Sequence, residues 1–284
     1  LFSRPWLQHF TPPLGWDADG GVSSSAPPSQ LRLSRIHGFR SHDCRNNVRY
    51  STDGQSIIYH AAGVGLVAHL DPGGQPPKQS FFQEHMNDIR AMATCSYPDS
   101  SGAHRTFVAT GEAGISPSIA VWSVQNSEAA EAPKSLWTLK GFHEEGVSHL
   151  AFSIYSSSSN PGENTAAEDS GAAEETKTKT SPAAVAMSDA PPNIRLFSVG
   201  SDRNHSVALY DLYLNASMNE APSFRLCSSE ASDTSPVLFA ASNPYDSEQF
   251  VTGGVRHLIF WRVRPQIGLA RFPTKQPSRL MYAP

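Results

Sequence analysis

From Leu31 onward, short apolar runs rich in β-branched and aromatic residues alternate with turn residues. Ser56-Ile-Ile-Tyr-His60, Thr106-Phe-Val-Ala-Thr110, Ile119-Ala-Val-Trp-Ser123 and Val207-Ala-Leu-Tyr-Asp211 are each of strand length. Turn signals recur at the roughly 8–12-residue spacing of all-β proteins. Thr52-Asp53-Gly54-Gln55, between two such runs, is a predicted hairpin turn.

The runs form a repeat. Phe107-Val-Ala-Thr-Gly111 leads through a loop to Ile119-Ala-Val-Trp122. Leu196-Phe-Ser-Val-Gly200 leads to Val207-Ala-Leu-Tyr210-Asp211, and Phe250-Val-Thr-Gly-Gly254 to Leu258-Ile-Phe-Trp261. The offsets from Gly111, Gly200 and Gly253 to the closing aromatic are 11, 10 and 8 residues. An apolar strand precedes each unit, and His85 and His143 stand just before two of these strands. This is the grammar of a β-propeller blade. The aromatic fills the wedge between blades, and the glycine is expected to let the chain turn where a Cβ would clash. Tyr210-Asp211 alone keeps the acid of a WD dipeptide, so the units read as divergent WD repeats. About four blades are predicted, at 36–71, 85–124, 143–212 and 235–263, as part of a larger, tandem, atypical propeller.

The flanks differ in composition. Residues 1–30 are rich in Pro, Gly and Ser, with aromatics at Phe2, Trp6, Phe10 and Trp16; the prolines exclude a helix, and an extended arm is expected. Residues 31–71 hold the most distinctive motif and the first blade, and residues 85–263 hold the other blades. Within the third blade, residues 156–192 lack aromatics, Leu and Ile. Such a segment cannot bury enough surface to offset its ordering entropy and reads as a disordered insertion. Residues 264–284 read as a basic tail or linker. The chain opens on Leu1 rather than Met, which suggests an excerpt or a processed product.

Of the 284 residues, 39% are hydrophobic. No apolar run approaches the length of a membrane-spanning helix, so no membrane partner is expected. Cys44, Cys95 and Cys227 lie far apart, with no C-x-x-C pair, which points to a reducing, cytoplasmic setting and to no structural zinc. The net charge of −4 argues against a nucleic-acid binder. The charge is uneven, however. No acid follows Glu248, so the last 36 residues carry +6, leaving −10 on the first 248. A second basic cluster comprises Arg32, Arg35, Arg40, Arg45 and Arg49, opposed only by Asp43. These arginines are either solvated strand faces or a docking surface for an acidic partner.

His37-Gly-Phe-Arg40 followed by Asp43-Cys-Arg-Asn-Asn47 resembles the core of the HELP motif of the echinoderm microtubule-associated protein-like family. The blades are similar to that family in the same order: Val108 to Trp122, Gly146 to Ser153 with Ser201 to Ser206, and Asn243 to Trp261. Arg4-Pro-Trp6 with Pro12-Pro13 is similar to the lead-in before HELP motifs. The resemblance implies an all-β, WD-repeat-type propeller that binds tubulin or microtubules, with the HELP segment supplying strands and packing between two propellers. It implies a cytoplasmic, cytoskeletal location. The insertion, the count of about four blades and the absence of a coiled-coil trimerisation segment depart from the family pattern.

The signature residues Gly38, Phe39, Arg40, Asp43, Cys44, Arg45, Asn46 and Asn47 have two readings. In the structural one, Phe39 and Cys44 are core, and Asn46 and Asn47 bond local backbone. In the functional one, Arg35, Arg40, Arg45 and Arg49 face acidic tubulin, and binding is salt-sensitive. Gly111, Trp122, Gly200, Asp202, His205, Tyr210, Asp211, Gly253 and Trp261 are expected to build the blades. His143-Glu-Glu145 has no second histidine at zincin spacing and reads as a solvated loop. Gly63-Val-Gly65-Leu-Val-Ala68 nominally fits a dinucleotide fingerprint, but Leu70-Asp-Pro72 leaves no room for the helix such a site needs. No catalytic constellation, cofactor site or metal site is predicted. The leading reading is a non-enzymatic scaffold for tubulin or microtubules; the alternative is a WD-repeat adaptor for a non-tubulin complex.

Overall fold

The computed structural model describes residues 31–71, 73–98, 104–124, 132–154, 194–214, 223–231, 235–264 and 268–271, with only the backbone given for 223–231. The expected arm at 1–30, the expected insertion at 156–192 and most of the basic tail lie outside the described residues. The chain divides into two compact units, Leu1–Ile36 and His37–Pro284. In the first, residues 31–36 carry no strand. All sixteen strands found among the described residues belong to the second.

The strands form four antiparallel sheets, each an up-and-down meander in chain order. Sheet I holds β1 (Val48–Tyr50), β2 (Ser56–Ala61), β3 (Val64–His69) and β4 (Lys78–Phe82). Sheet II holds β5 (Ile89–Pro98), β6 (His104–Glu112), β7 (Ile119–Val124) and β8 (Ser135–Leu139). Sheet III holds β9 (Val147–Ile154), β10 (Ile194–Gly200), β11 (Ser206–Tyr213) and β12 (Ser223–Ala231). Sheet IV holds β13 (Val237–Asn243), β14 (Asp246–Gly254), β15 (His257–Arg264) and β16 (Gly268–Arg271). First strands neighbour first strands, β5 beside β9 and β9 beside β13. The fold is all-β, of the WD-repeat propeller type, with four-stranded blades. Each sheet runs past the end of its sequence unit by one outer strand, namely β4, β8, β12 or β16. Sheet I begins only at Val48, because residues 31–47 form no strand.

The connectors explain the stacking. Ile89 N–H donates to Ala62 O at 2.8 Å, tying the entry of β5 to the β2–β3 turn. Gly146 N–H donates to Gly114 O at 2.7 Å, and Val255 N–H to Pro236 O at 3.0 Å. Sheets II and III are thus each entered over a hairpin turn of the preceding sheet, whereas the Val255 bond ties the entry of β13 to the β14–β15 turn of its own sheet.

Closing aromatics seal the interfaces. Between sheets I and II, Trp122 stacks on Phe82, with ring centroids 5.0 Å apart and planes 9° apart. Between II and III, Tyr210 packs with Ala91, Phe107 and Trp137. Between III and IV, Trp261 packs with Phe197, which stacks on Phe250 at 5.0 Å. Burying a ring such as Phe82 completely contributes on the order of 3 kcal/mol.

The repeat glycines work differently from the expectation. Gly111, Gly200 and Gly253 have no positive φ, so they do not turn the chain. They permit close approach: a Cβ on Gly111 would lie 2.6 Å from Val147 Cβ in the next sheet. A Cβ on Gly200 would meet His143 Nδ1 and Ser206 Oγ, each at 2.7 Å.

Candidate functional site

The segment from His37 to Asn47 is irregular and held by side chains. Gly38 takes φ +81° and Asn46 φ +56°, conformations that glycine and asparagine tolerate best. Arg40 N–H donates to His60 O at 3.2 Å, and Asn47 Nδ2 donates to the Arg40 carbonyl. The Arg40 guanidinium forks onto Asp43, Nε to Oδ1 at 2.6 Å and Nη2 to Oδ2 at 2.7 Å. Its Nη1 reaches Asp88 at 2.6 Å, and Arg90 Nη2 donates to Asp43 at 3.1 Å. Asp88 precedes β5 and Arg90 lies on it, so this lattice clamps the loop to the first strand of sheet II. The bonds from Arg40, with Arg90 adding to them, hold the Asp43 carboxyl well below the usual carboxylate range. The same bond to Asp43 pushes Arg40 upward. Burial pushes the neighbouring Cys44 thiol up to about 11, so it is no nucleophile at neutral pH.

These contacts sort the signature residues. Cys44 and Asn47 are buried. Phe39 is not core: it is 52% exposed, and the loop around it is held by ionic contacts instead. Arg40 does not face outward: its side chain is only 11% exposed and fully engaged by Asp43 and Asp88. Arg45 is exposed and Arg49 half-buried, and neither has an ion-pair partner among the described residues. Arg35, exposed, lies in the first unit. In the basic C-terminal region, Arg262 is 3.8 Å from Asp246 and Arg271 lies over the Trp261 ring; Lys275 and Arg279 lie outside the described residues.

The blade residues form polar chains beneath the indoles. His85 lies between Glu112 Oε1 at 2.9 Å and Thr110 Oγ1 at 2.7 Å, and Trp122 Nε1–H donates to that Thr110 oxygen at 3.2 Å. His143 is no solvated loop residue. It is buried between Ser198 Oγ at 2.7 Å and Ser206 Oγ at 2.8 Å, while Glu144 and Glu145 stay outside. Burial lowers the His143 pKa to about 4. Asp202 caps the β10–β11 turn: its Oδ1 accepts Ser206 N–H at 3.0 Å, and Ser206 Oγ–H donates to Oδ2. Burial opposes its charge, but these bonds outweigh it and hold Asp202 below its ordinary value. His205, at φ +45°, closes the turn on the Asp202 carbonyl. In sheet IV, Trp261 Nε1–H donates to Thr252 at 3.0 Å. Asp211 pairs with Arg195 inside sheet III at 2.9 Å.

Sequence reasoning missed Asp88 and Arg90. Their signal was present: charged residues at i and i+2 flank Ile89 on one face of a strand otherwise apolar inward.

Residues 26–66 match the HELP motif family. The chain carries a HELP motif. That motif is the clamped loop together with β1, β2 and the start of β3. Similarity to whole proteins extends further. The chain is 24% identical to the 77 kDa echinoderm microtubule-associated protein of Lytechinus variegatus, over 92% of its own length and 31% of that protein. It is 25% identical to echinoderm microtubule-associated protein-like 1 of Homo sapiens, over 83% of its length and 22% of that protein. The HELP-containing chain thus spans less than a third of either relative. Among solved structures, it resembles the Chaetomium thermophilum Nup170 N-terminal domain in complex with Nup53, with 10% identity and a TM-score of 0.40 over 76% of this chain and 26% of that one.

Proposed function

We propose that this chain is a non-enzymatic, cytoplasmic scaffold that docks on tubulin or microtubules through the basic surface of its HELP segment. The observation that carries the reading is the division of labour among its arginines. Arg40 is consumed by the internal clamp, whereas Arg45 and Arg49 sit on the clamped loop and the strand after it with no acidic partner among the described residues. A rigid loop carrying uncompensated guanidiniums suits a carboxylate-rich partner. The names of the relatives agree with a microtubule partner.

Co-sedimentation with taxol-stabilised microtubules across a salt series tests this. Pelleting should fall as salt rises and fall further in Arg45→Glu/Arg49→Glu, with the fold unchanged by circular dichroism. Absence of pelleting at low salt by the folded chain would overturn the proposal.

One observation favours the alternative, an adaptor for a non-tubulin complex. Met86 and Ile115 are 90% and 85% exposed on connector loops. Binding through them would be insensitive to salt, and the same series separates the two readings.

A further inference from the structure

A cavity of about 490 Å3 lies within the second unit, where the first strands of sheets II, III and IV meet residues 43–49. Its size falls in the range of ligand pockets. Arg45, Arg49 and Arg90 line it together, and among the described residues the one acid on its wall is Asp43, whose two oxygens already accept from Arg40. Arg90 also donates to Asp43, at 3.1 Å, so that carboxylate is shared by two arginines, and Arg45 and Arg49 stand on the wall with no acidic partner among the described residues. His149 is also on the wall; burial lowers its pKa, so at neutral pH it offers hydrogen bonding rather than charge. A concave site walled by low-dielectric protein focuses such a field.

The other wall is of opposite character. Leu238 and Phe239 on β13 line the cavity while 45% and 43% exposed. Large apolar side chains left facing solvent beside uncompensated arginines mark a place to bury something. Ser148 and Ser201 line the same cavity.

We propose that this cavity binds an extended acidic peptide, whose carboxylates engage Arg45, Arg49 and Arg90 and whose apolar side chain packs on Leu238 and Phe239. The planar guanidinium fork matches a carboxylate, and the apolar wall requires a ligand that mixes acidic with apolar groups. The proposal deepens the docking reading and rests on it for the partner's charge, but not for the partner's identity.

The test is fluorescence anisotropy with the intact chain and a short fluorescein-labelled peptide of glutamates around one phenylalanine. Saturable binding is expected, weakened roughly tenfold by Arg45→Glu or Arg49→Glu, the loss typical of a hydrogen bond to a charged group. Leu238→Asp should weaken it as well. Arg264→Glu, exposed and outside the cavity, should leave it unchanged. Equal binding of a glutamine version of the peptide, indifference to both arginine reversals, or tighter binding of a single-stranded oligonucleotide would each overturn the proposal. Microtubule pelleting without peptide binding would sink this inference and spare the docking reading. Peptide binding without pelleting would do the reverse.

Discussion

Arg40 and Asp88, 48 residues apart in the chain, are joined by a 2.6 Å hydrogen bond. With the fork on Asp43, this bond makes the HELP loop an extension of sheet II. Arg40→Lys keeps the charge but cannot span both partners in one plane. It should cost about 1–3 kcal/mol and accelerate amide exchange across residues 37–47. Chemical denaturation and hydrogen exchange check this. Unchanged exchange in the loop would show that the clamp does not hold it.

Buried histidines set an acid limit on stability. His60 and His143 are both buried, and burial lowers each pKa to about 4 from roughly 6.5 in the unfolded chain. Burial also lowers His69, His85 and His149. The unfolded chain therefore binds more protons than the folded one between these values. The stability these groups lend is complete above about pH 6.5 and is lost as pH falls toward 4. Between pH 7 and 5, His60 and His143 should each remove roughly 2 kcal/mol. His60 adds a second cost, since neither of its ring nitrogens has a hydrogen-bond partner among the described residues. His60→Leu should stabilise the fold at pH 7 by about 1–2 kcal/mol and flatten the pH profile. Urea titrations at both pH values decide it, and a destabilised His60→Leu variant would count against the assignment.

Gly111 tests how the sheets nest. An added Cβ would strike Val147 at 2.6 Å, and β6 cannot retreat without breaking its ladders to β5 and β7. Gly111→Ala should cost about 1–3 kcal/mol by overpacking. Val147→Gly, which removes the struck Cβ together with both Cγ carbons, should destabilise alone through a cavity, yet partly rescue Gly111→Ala. A coupling above about 0.5 kcal/mol in the double-mutant cycle is the expected result; simple additivity would mean the contact relaxes freely.

The blades were legible because their central strands are apolar on both faces and end in a ring at a regular offset from glycine. Trp122, Tyr210 and Trp261 lie buried where the pattern implies. The outer strands were harder to read: Lys78-Gln-Ser-Phe-Phe82 and Gly268-Leu-Ala-Arg271 are short and partly polar, because each fully buries a single residue, Phe82 or Leu269. Phe39 misled because an aromatic in a dense motif reads as core, while the force holding that loop is ionic and comes from Asp88, far off in sequence. His143 misled for the opposite reason. Flanked by two glutamates, it reads as solvated, although Ser198 and Ser206 of sheet III enclose it. Local composition reports a residue's neighbours in the chain and not those across a sheet.

Asp211, the one acid following a closing aromatic, offers the strictest test of the blade reading. It faces Arg195 directly across the β10–β11 pair, with Nε donating to Oδ1 at 2.9 Å, and both residues are buried. A buried ion pair attracts strongly but carries a large desolvation cost, so removing one partner is far worse than removing both. Asp211→Asn should cost about 3–5 kcal/mol by removing the charge that Arg195 Nε donates to inside the sheet. Arg195→Met combined with Asp211→Leu should recover most of that loss, since the site adjoins the apolar interface formed by Phe197, Leu209 and Trp261. Thermal denaturation of the two single variants and the double variant measures it. A double variant no more stable than Asp211→Asn would mean that the acid has a role beyond balancing Arg195.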